Sequence, residues 1–212
     1  LTNADFVRTS SGRHKVFVQA VLEKLNDNGH FYQAEYRGFY SARQETFLTE
    51  KDRREDGTFD PIYGDVTELV EHNYYFKLGR HPQWLIDHIE ANPDFIAPDY
   101  RRNEVLGFLK SETLEDLCIS RPKERLEWGI PLPFDPGQNI YVWTEALVNY
   151  ITALDYHVDG EKFQRFWPAN VHMMAKEITR FHVIIWPAML MAVGLPLPQQ
   201  IFAHGWLTKD GD

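Results

Sequence analysis

The chain has 212 residues, a hydrophobic share of 43%, six tryptophans and a formal net charge of −9. That length supports one large domain or two small ones, and the acidic balance argues against a nucleic-acid scaffold, whose grip rests on clustered Lys and Arg. No run of about 18 apolar residues is present to span a membrane, the start Leu1-Thr2-Asn3-Ala4-Asp5 has no signal-peptide pattern, and the single Cys118 excludes an internal disulfide, which fits a reducing cytoplasm.

Taken in order, the first 30 residues read as one helix. Thr9-Ser10-Ser11 offers N-caps, Val18, Val21, Leu22 and Leu25 form the apolar stripe, and Gly29 closes it. From Phe31 to about Leu78 the pattern changes to short strands and turns, with Phe31–Tyr40 and Asn73–Leu78 as the clearest strands. Lys51 to Asp65 is charged and rich in turn formers, which predicts an exposed loop. The basic groups Lys51-Asp52-Arg53-Arg54, Arg101-Arg102 and Arg121-Pro122-Lys123-Glu124-Arg125 read as solvated surface. Helices are expected near Pro82–Glu90 and Asp99–Lys110, and a short strand at Leu117-Cys118-Ile119-Ser120. Ile140-Tyr141-Val142-Trp143 reads as a compact strand, with Thr144 to Leu154 as its helix.

The remaining third follows one rhythm. Val171 to Ala175 suits a buried strand, and Ile178, His182, Ile185 and Met189 recur at helical spacing, with Phe181 and Trp186 beside them. Gly194 and Pro196 end that helix, and Ile201-Phe202-Ala203 is a second strand. Strand, helix, strand with tight connections predicts a parallel pair. Ligands of such sheets sit beyond the carboxyl ends of the strands, here Ala175-Lys176-Glu177 and Ala203-His204-Gly205. No GxGxxG, GxxxxGK[ST] or G-x-S-x-G pattern occurs, and Cys118, in an apolar strand without a basic neighbour, reads as an inert core thiol.

Several separated clusters carry a family resemblance: Trp167-Pro168-Ala169, Lys176, Arg180-Phe181-His182, Trp186-Pro187-Ala188, Gly194-Leu195-Pro196 and His204-Gly205-Trp206. In order and spacing they resemble the methionyl-tRNA synthetases, which are class I synthetases. The resemblance implies an α/β fold: half of a Rossmann-like doubly wound parallel sheet, interrupted by an α+β connective-peptide insertion. Residues 1–30 would be the first part of the catalytic domain, 31–122 the insertion, and 123–212 the second part with the amino-acid pocket. It further implies a methionine–tRNA ligase that converts methionine and ATP with Mg2+ into methionyl-adenylate and charges tRNA(Met). The segment is expected to be monomeric. The alternatives are a non-catalytic truncated amino-acid-binding module, or another class I synthetase for an apolar amino acid.

By the same resemblance Trp143, Ala146, Leu147, Tyr150, Ile178, Phe181, His182 and Trp186 line the methionine side chain, a polarisable thioether that aromatic rings enclose well. Lys176, Glu177, His204, Gly205 and Trp206 would hold the adenylate, with Glu177 on the ribose hydroxyls and Glu145 supporting that corner. The family's usual Gly-Lys-Asp stands here as Ala175-Lys176-Glu177, and its Tyr-Val-Trp-x-Asp-Ala as Tyr141-Val142-Trp143-Thr144-Glu145-Ala146. Where the family often carries Cys-x-x-Cys zinc knuckles, this chain has Ser41-Ala42-Arg43-Gln44 and Asp60-Pro61-Ile62-Tyr63, so no zinc is expected. The family's His-x-Gly-His motif belongs upstream of Leu1 and its Lys-Met-Ser-Lys-Ser loop beyond Asp212. No catalytic residue is therefore assigned within the 212 residues, and the isolated chain is expected to be inactive.

Overall fold

A computed structural model describes residues 2–41, 43, 46–48, 50–156, 158 and 160–207. The first helix, α1 (Gly12–Asp27), begins where expected: the Ser11 hydroxyl accepts from the His14 N–H at 3.3 Å. Its buried stripe is His14, Phe17, Val18, Val21, Leu22 and Leu25, and Gly29 at φ 72° turns the chain away. The adjoining strands β1 (Phe31–Ser41), β2 (Thr46–Leu48) and β3 (Val66–Phe76) form an antiparallel arm, with β1 and β3 in unbroken register from Phe31↔Phe76 to Ser41↔Val66.

The Lys51–Asp65 segment, expected as a loop, carries local order of its own. Short 3-10 turns occupy Glu50–Asp52 and Pro61–Tyr63, and Arg53 bridges to Phe59. The Arg53 guanidinium lies 4.3 Å from the Phe39 ring centroid and 5.1 Å from that of Phe59. The Ser41 hydroxyl donates to the Tyr63 carbonyl at 2.5 Å, joining the two places where the family's knuckles would stand. Ala42 and Gln44 of the first knuckle lie outside the described residues. Among the described residues no group of three or more His, Cys, Asp or Glu side chains is placed to hold a metal.

Helices α2 (Pro82–Ala91) and α3 (Asp99–Ser111) stand where the sequence places them, separated by a two-residue strand, β4 (Ile96–Ala97), that propensity gave no sign of. The strands β5 (Leu117–Cys118), β6 (Ser120–Pro122), β7 (Pro131–Leu132) and β8 (Asp135–Ile140) follow. The strand β5 extends the arm into a sheet of order β2-β1-β3-β5, while β6, β8 and β7 make a separate antiparallel sheet.

Here the structure corrects one expectation. Ile140-Tyr141-Val142-Trp143 is not a strand of the parallel sheet: the strand ends at Ile140, and α4 (Val142–Leu147) begins two residues later. The polar part of β8 is what the apolar reading missed. Gln138 and Asn139 are buried because their side-chain amides donate to the His72 and Leu126 carbonyls, at 2.9 and 2.5 Å. Tyr141 and Val142, the most β-prone pair, are exposed at the junction. The expected helix to Leu154 is broken at Val148 into α4 and α5 (Asn149–Thr152), before α6 (Gly160–Phe166).

The last unit is β9 (Val171–Ala175), a helical segment, then β10 (Gln200–His204), and the two strands pair in parallel from Val171↔Gln200 to Ala175↔His204 as expected. Ile96 and Ala97 of β4 pair in parallel with Ile201 and Phe202, so the sheet order is β4-β10-β9 and a strand from within 31–122 joins it. The helical segment is not uniform. A 3-10 turn spans Lys176–Ile178, a π-helical stretch Phe181–Ile185, and the α-helix α7 covers Trp186–Ala192. Pro187 has no N–H to offer the carbonyl four residues back, and the Trp186 N–H instead reaches Phe181, five back. A Schellman closure follows: Leu195 N–H donates to Leu190 O at 2.8 Å and Gly194 N–H to Met191 O at 2.9 Å, with Gly194 at φ 76°.

Candidate functional site

Two aromatic pairs span the gap between the α4–α5 corner and the helical segment after β9. Trp143 lies nearly flat on Phe181, ring centroids 3.8 Å apart and planes 17° apart. Tyr150 meets His182 at 2.7 Å between its hydroxyl and Nε2. Proton positions in that pair follow from the other ring nitrogen. His182 Nδ1 is 2.9 Å from the Ile178 carbonyl, which can only accept, so Nδ1 carries the hydrogen and Nε2 accepts from Tyr150. Burial holds the His182 imidazole below its ordinary range, opposed in part by the Ile178 carbonyl, and pushes Tyr150 up to about 12.

Behind this pair stands His172, on the inner face of β9. Its Nε2 accepts the Trp186 indole N–H at 3.2 Å, and its ring stacks on Tyr150 at 3.9 Å and 25°. Burial, and then the neighbouring His182, push His172 down to about 3, so the imidazole is neutral at physiological pH. Trp186, 1% exposed, also lies within 6.1 Å of the Tyr150 ring and 6.3 Å of Trp167. The structure thus brings together Trp143 with Phe181, Tyr150 with His182 and Trp186, and the Ile178 carbonyl with His182. Leu147 is buried in the hydrophobic core and Ala146 is half-buried one residue before it on α4.

The second predicted group gathers at the carboxyl ends of β9 and β10. Lys176 Nζ lies 4.8 Å from the Trp206 ring centroid, and His204 Nδ1–H donates to the Gly205 carbonyl at 2.6 Å. Glu177, Gly205 and Trp206 are exposed. A cleft of about 200 Å³ opens beside Lys176 and Glu177, closed on its far side by Glu104, Val105 and Phe108 of α3. Arg180 lies across its rim, its guanidinium 4.1 Å from the Phe108 ring centroid. Glu145, 8% exposed, is held above the usual carboxylate range by burial, with Lys15 working against that shift.

One residue escaped the sequence reading, and one was misread. His172 had a signal, since a strand alternating Val171, His172, Met173, Met174 has a polar residue on one apolar face, but nothing in the pattern named its partners. Cys118 needs correction. It is half-buried, and Arg121 Nη1 donates to its Sγ at 2.9 Å, so a basic side chain is its neighbour after all. Arg121 lies three residues further on, in β6.

The profile of the family described as "tRNA synthetases class I (M)" matches residues 1–57 and 61–212. The chain belongs to that family. It is similar to the methionine–tRNA ligase of Bacillus subtilis, 45% identical across all of this chain and 33% of the relative, and to that of Thermotoga maritima, 45% identical over 34% of the relative. Among solved structures it is similar to Mycobacterium tuberculosis methionyl-tRNA synthetase bound by methionyl-adenylate, with TM-score 0.82 and 39% identity, covering 97% of this chain and 41% of that one. The free form of the same mycobacterial enzyme matches with TM-score 0.80. The chain spans about a third of the length of the curated relatives it matches. The α/β, Rossmann-like catalytic region is the part shared.

Proposed function

We propose that the longer protein containing this segment is a methionine–tRNA ligase. The observation that carries this is the enclosure of neutral rings where the helical segment after β9 meets α4 and α5, set in a chain of this family. In the reaction the methionine carboxylate attacks the α-phosphorus of MgATP and pyrophosphate leaves. The terminal hydroxyl of tRNA(Met) then attacks the activated carbonyl and AMP leaves. Protein residues form no covalent bond, so their work is positioning and charge stabilisation.

Trp143, Ala146, Leu147, Tyr150, Ile178, Phe181, His182 and Trp186 are assigned to the methionine side chain. The mycobacterial relative with methionyl-adenylate supports the choice of ligand. Lys176, Glu177, His204, Gly205 and Trp206 are assigned to the adenylate, with the Lys176 ammonium close enough to Trp206 for both to face one ligand. The division into residues 1–30, 31–122 and 123–212 is kept as our reading of the domains, with β4 crossing back to the parallel sheet. No helix among the described residues is long and apolar enough to cross a membrane, and we place the protein in the cytoplasm. The test is ATP–pyrophosphate exchange by the full-length protein with methionine, leucine, valine and cysteine in turn. Exchange should saturate with methionine at the lowest concentration. Equal exchange with leucine or valine would overturn the assignment.

A further inference from the structure

His172 has two unrelated partners, and that is the basis of an assignment the family signature does not contain. Trp186 comes from α7 and Tyr150 from α5, and His172 of β9 touches both: an acceptor at 3.2 Å for the indole N–H, and a flat face at 3.9 Å against the phenol ring. Val171 and Met173 on the same strand are exposed, while His172 and Met174 point inward. A core position on a parallel strand is filled well by Ile or Val, and a buried imidazole there is costly unless it is used. Here it is used twice. The indole N–H of Trp186 is buried, and without an acceptor it would be left unsatisfied. The Tyr150 ring, held from one side by His172, is held at its tip by His182.

We propose that His172 is a positioning residue for side-chain selection: its neutral imidazole locks Trp186 and Tyr150 into one rigid wall that fits an unbranched side chain. The assignment rests on the methionine reading given above. His172 itself stands behind the wall. Loss of its acceptor would let the indole rotate toward a new partner, and loss of its ring would let Tyr150 tilt. Either change alters the outline of the wall, and a looser outline admits branched side chains.

The experiment is steady-state ATP–pyrophosphate exchange by the full-length protein, with KM measured separately for methionine, leucine and ATP. His172→Phe keeps a flat ring against Tyr150 and removes the acceptor, while His172→Gln restores an acceptor near the Nε2 position. Trp186→Phe deletes the indole N–H, so the pair His172→Phe with Trp186→Phe closes a double-mutant cycle. Expected is a methionine KM raised roughly tenfold by His172→Phe, as for a buried donor left unpaired. The ATP KM should move less, the methionine-over-leucine preference should narrow, His172→Gln should recover most of the loss, and the double variant should be no worse than the worse single one. Should His172→Phe not fold, the same cycle is run with His172→Leu, which also removes the acceptor, and Trp186→Phe, where strict additivity overturns the proposal. Methionine and ATP KM rising together, without recovery in His172→Gln, would show a general packing role and also overturn it. A wild-type protein without methionine saturation removes the functional reading itself, whereas a saturating wild type with His172 variants within twofold removes only the role given to His172.

Discussion

Tyr150→Phe isolates one hydrogen bond in the candidate pocket. The substitution keeps the ring against His172 and Trp186 and deletes only the hydroxyl that reaches His182 Nε2 at 2.7 Å. His182 has no easy way to compensate. Its Nδ1–H is committed to the Ile178 carbonyl at 2.9 Å, so the ring cannot exchange tautomers without breaking that bond, and at 4% exposure little water reaches it. An acceptor left buried without a donor costs about 1–3 kcal/mol. For a unit of about 200 residues each kcal/mol lowers the unfolding midpoint by about 2–4 °C, and by less in the longer full-length protein. Thermal unfolding and methionine titration calorimetry on the full-length protein are the assays, with a midpoint drop of about 1–3 °C and affinity weakened roughly tenfold expected. Nitrogen-15 spectra of histidine-labelled protein add a direct check, since the wild type should show His182 protonated at Nδ1. A His182 protonated at Nε2, or a variant with unchanged midpoint and unchanged affinity, would refute the reasoning.

Trp186→Ala should raise the methionine KM while the ATP KM moves less, because the ring removed is buried among Tyr150, His172 and Trp167; removing a buried Trp costs about 3–5 kcal/mol in cores, so folding is verified first. A strong chelator should leave the thermal midpoint unchanged, and Arg53→Ala should lower amide-exchange protection around Phe39 and Phe59 instead, since a cation between two rings holds that tip; a chelator-induced drop would count against this. Stability should fall on acidification below about pH 6.5, at up to about 1.4 kcal/mol per pH unit from His172 alone, whose folded value near 3 leaves the unfolded chain binding the extra proton. His14, His81, His88 and His182, all held low by burial, add to that slope, while Glu145, held high, opposes it at lower pH; an acid-insensitive midpoint between pH 6.5 and 4.5 would contradict these shifts.

Legibility in the sequence tracked how far each feature is determined locally. The cap, stripe and closing glycine of α1 lie within one stretch of chain, and all were readable. The parallel pairing of β9 with β10 followed from a strand, a helix and a tight return, and the register confirms it. What escaped depends on distant partners. Ile96–Ala97 is a strand only because Ile201 and Phe202 lie beside it, and two residues carry no periodicity. Gln138 and Asn139 are buried by virtue of carbonyls at His72 and Leu126, so an apolar pattern assigns the strand to Ile140–Trp143 instead. The proline signalled a disturbance in the helix, but not that Phe181–Ile185 would widen into a π-helical turn. Of the candidate site, the family resemblance singled out Tyr150, His182 and Trp186, but His172, which touches Tyr150 and Trp186, has meaning only in three dimensions.

On the proposed reading, the widened turn and the buried histidines bear on one chemical problem, the selection of methionine. A thioether offers a weak acceptor and polarisable bulk, and no charge to recognise. Selection must then come from shape, which requires walls that do not move. Rings alone slide over one another at small cost, so each large ring needs a second constraint. Tyr150 is fixed by a bond at its tip and a ring on its face, Trp186 by its indole N–H, and Phe181 by stacking on Trp143. The π-helical turn places Phe181 and His182 at its start and leaves Trp186 to open the α-helix that follows, so one short stretch supplies three rings. Both imidazoles accept at Nε2, from Tyr150 and from Trp186, and burial disfavours the charged form of each. A cationic imidazole would lose its acceptor and release its ring partner, and the burial that disfavours that charge therefore also helps hold the proposed wall in place.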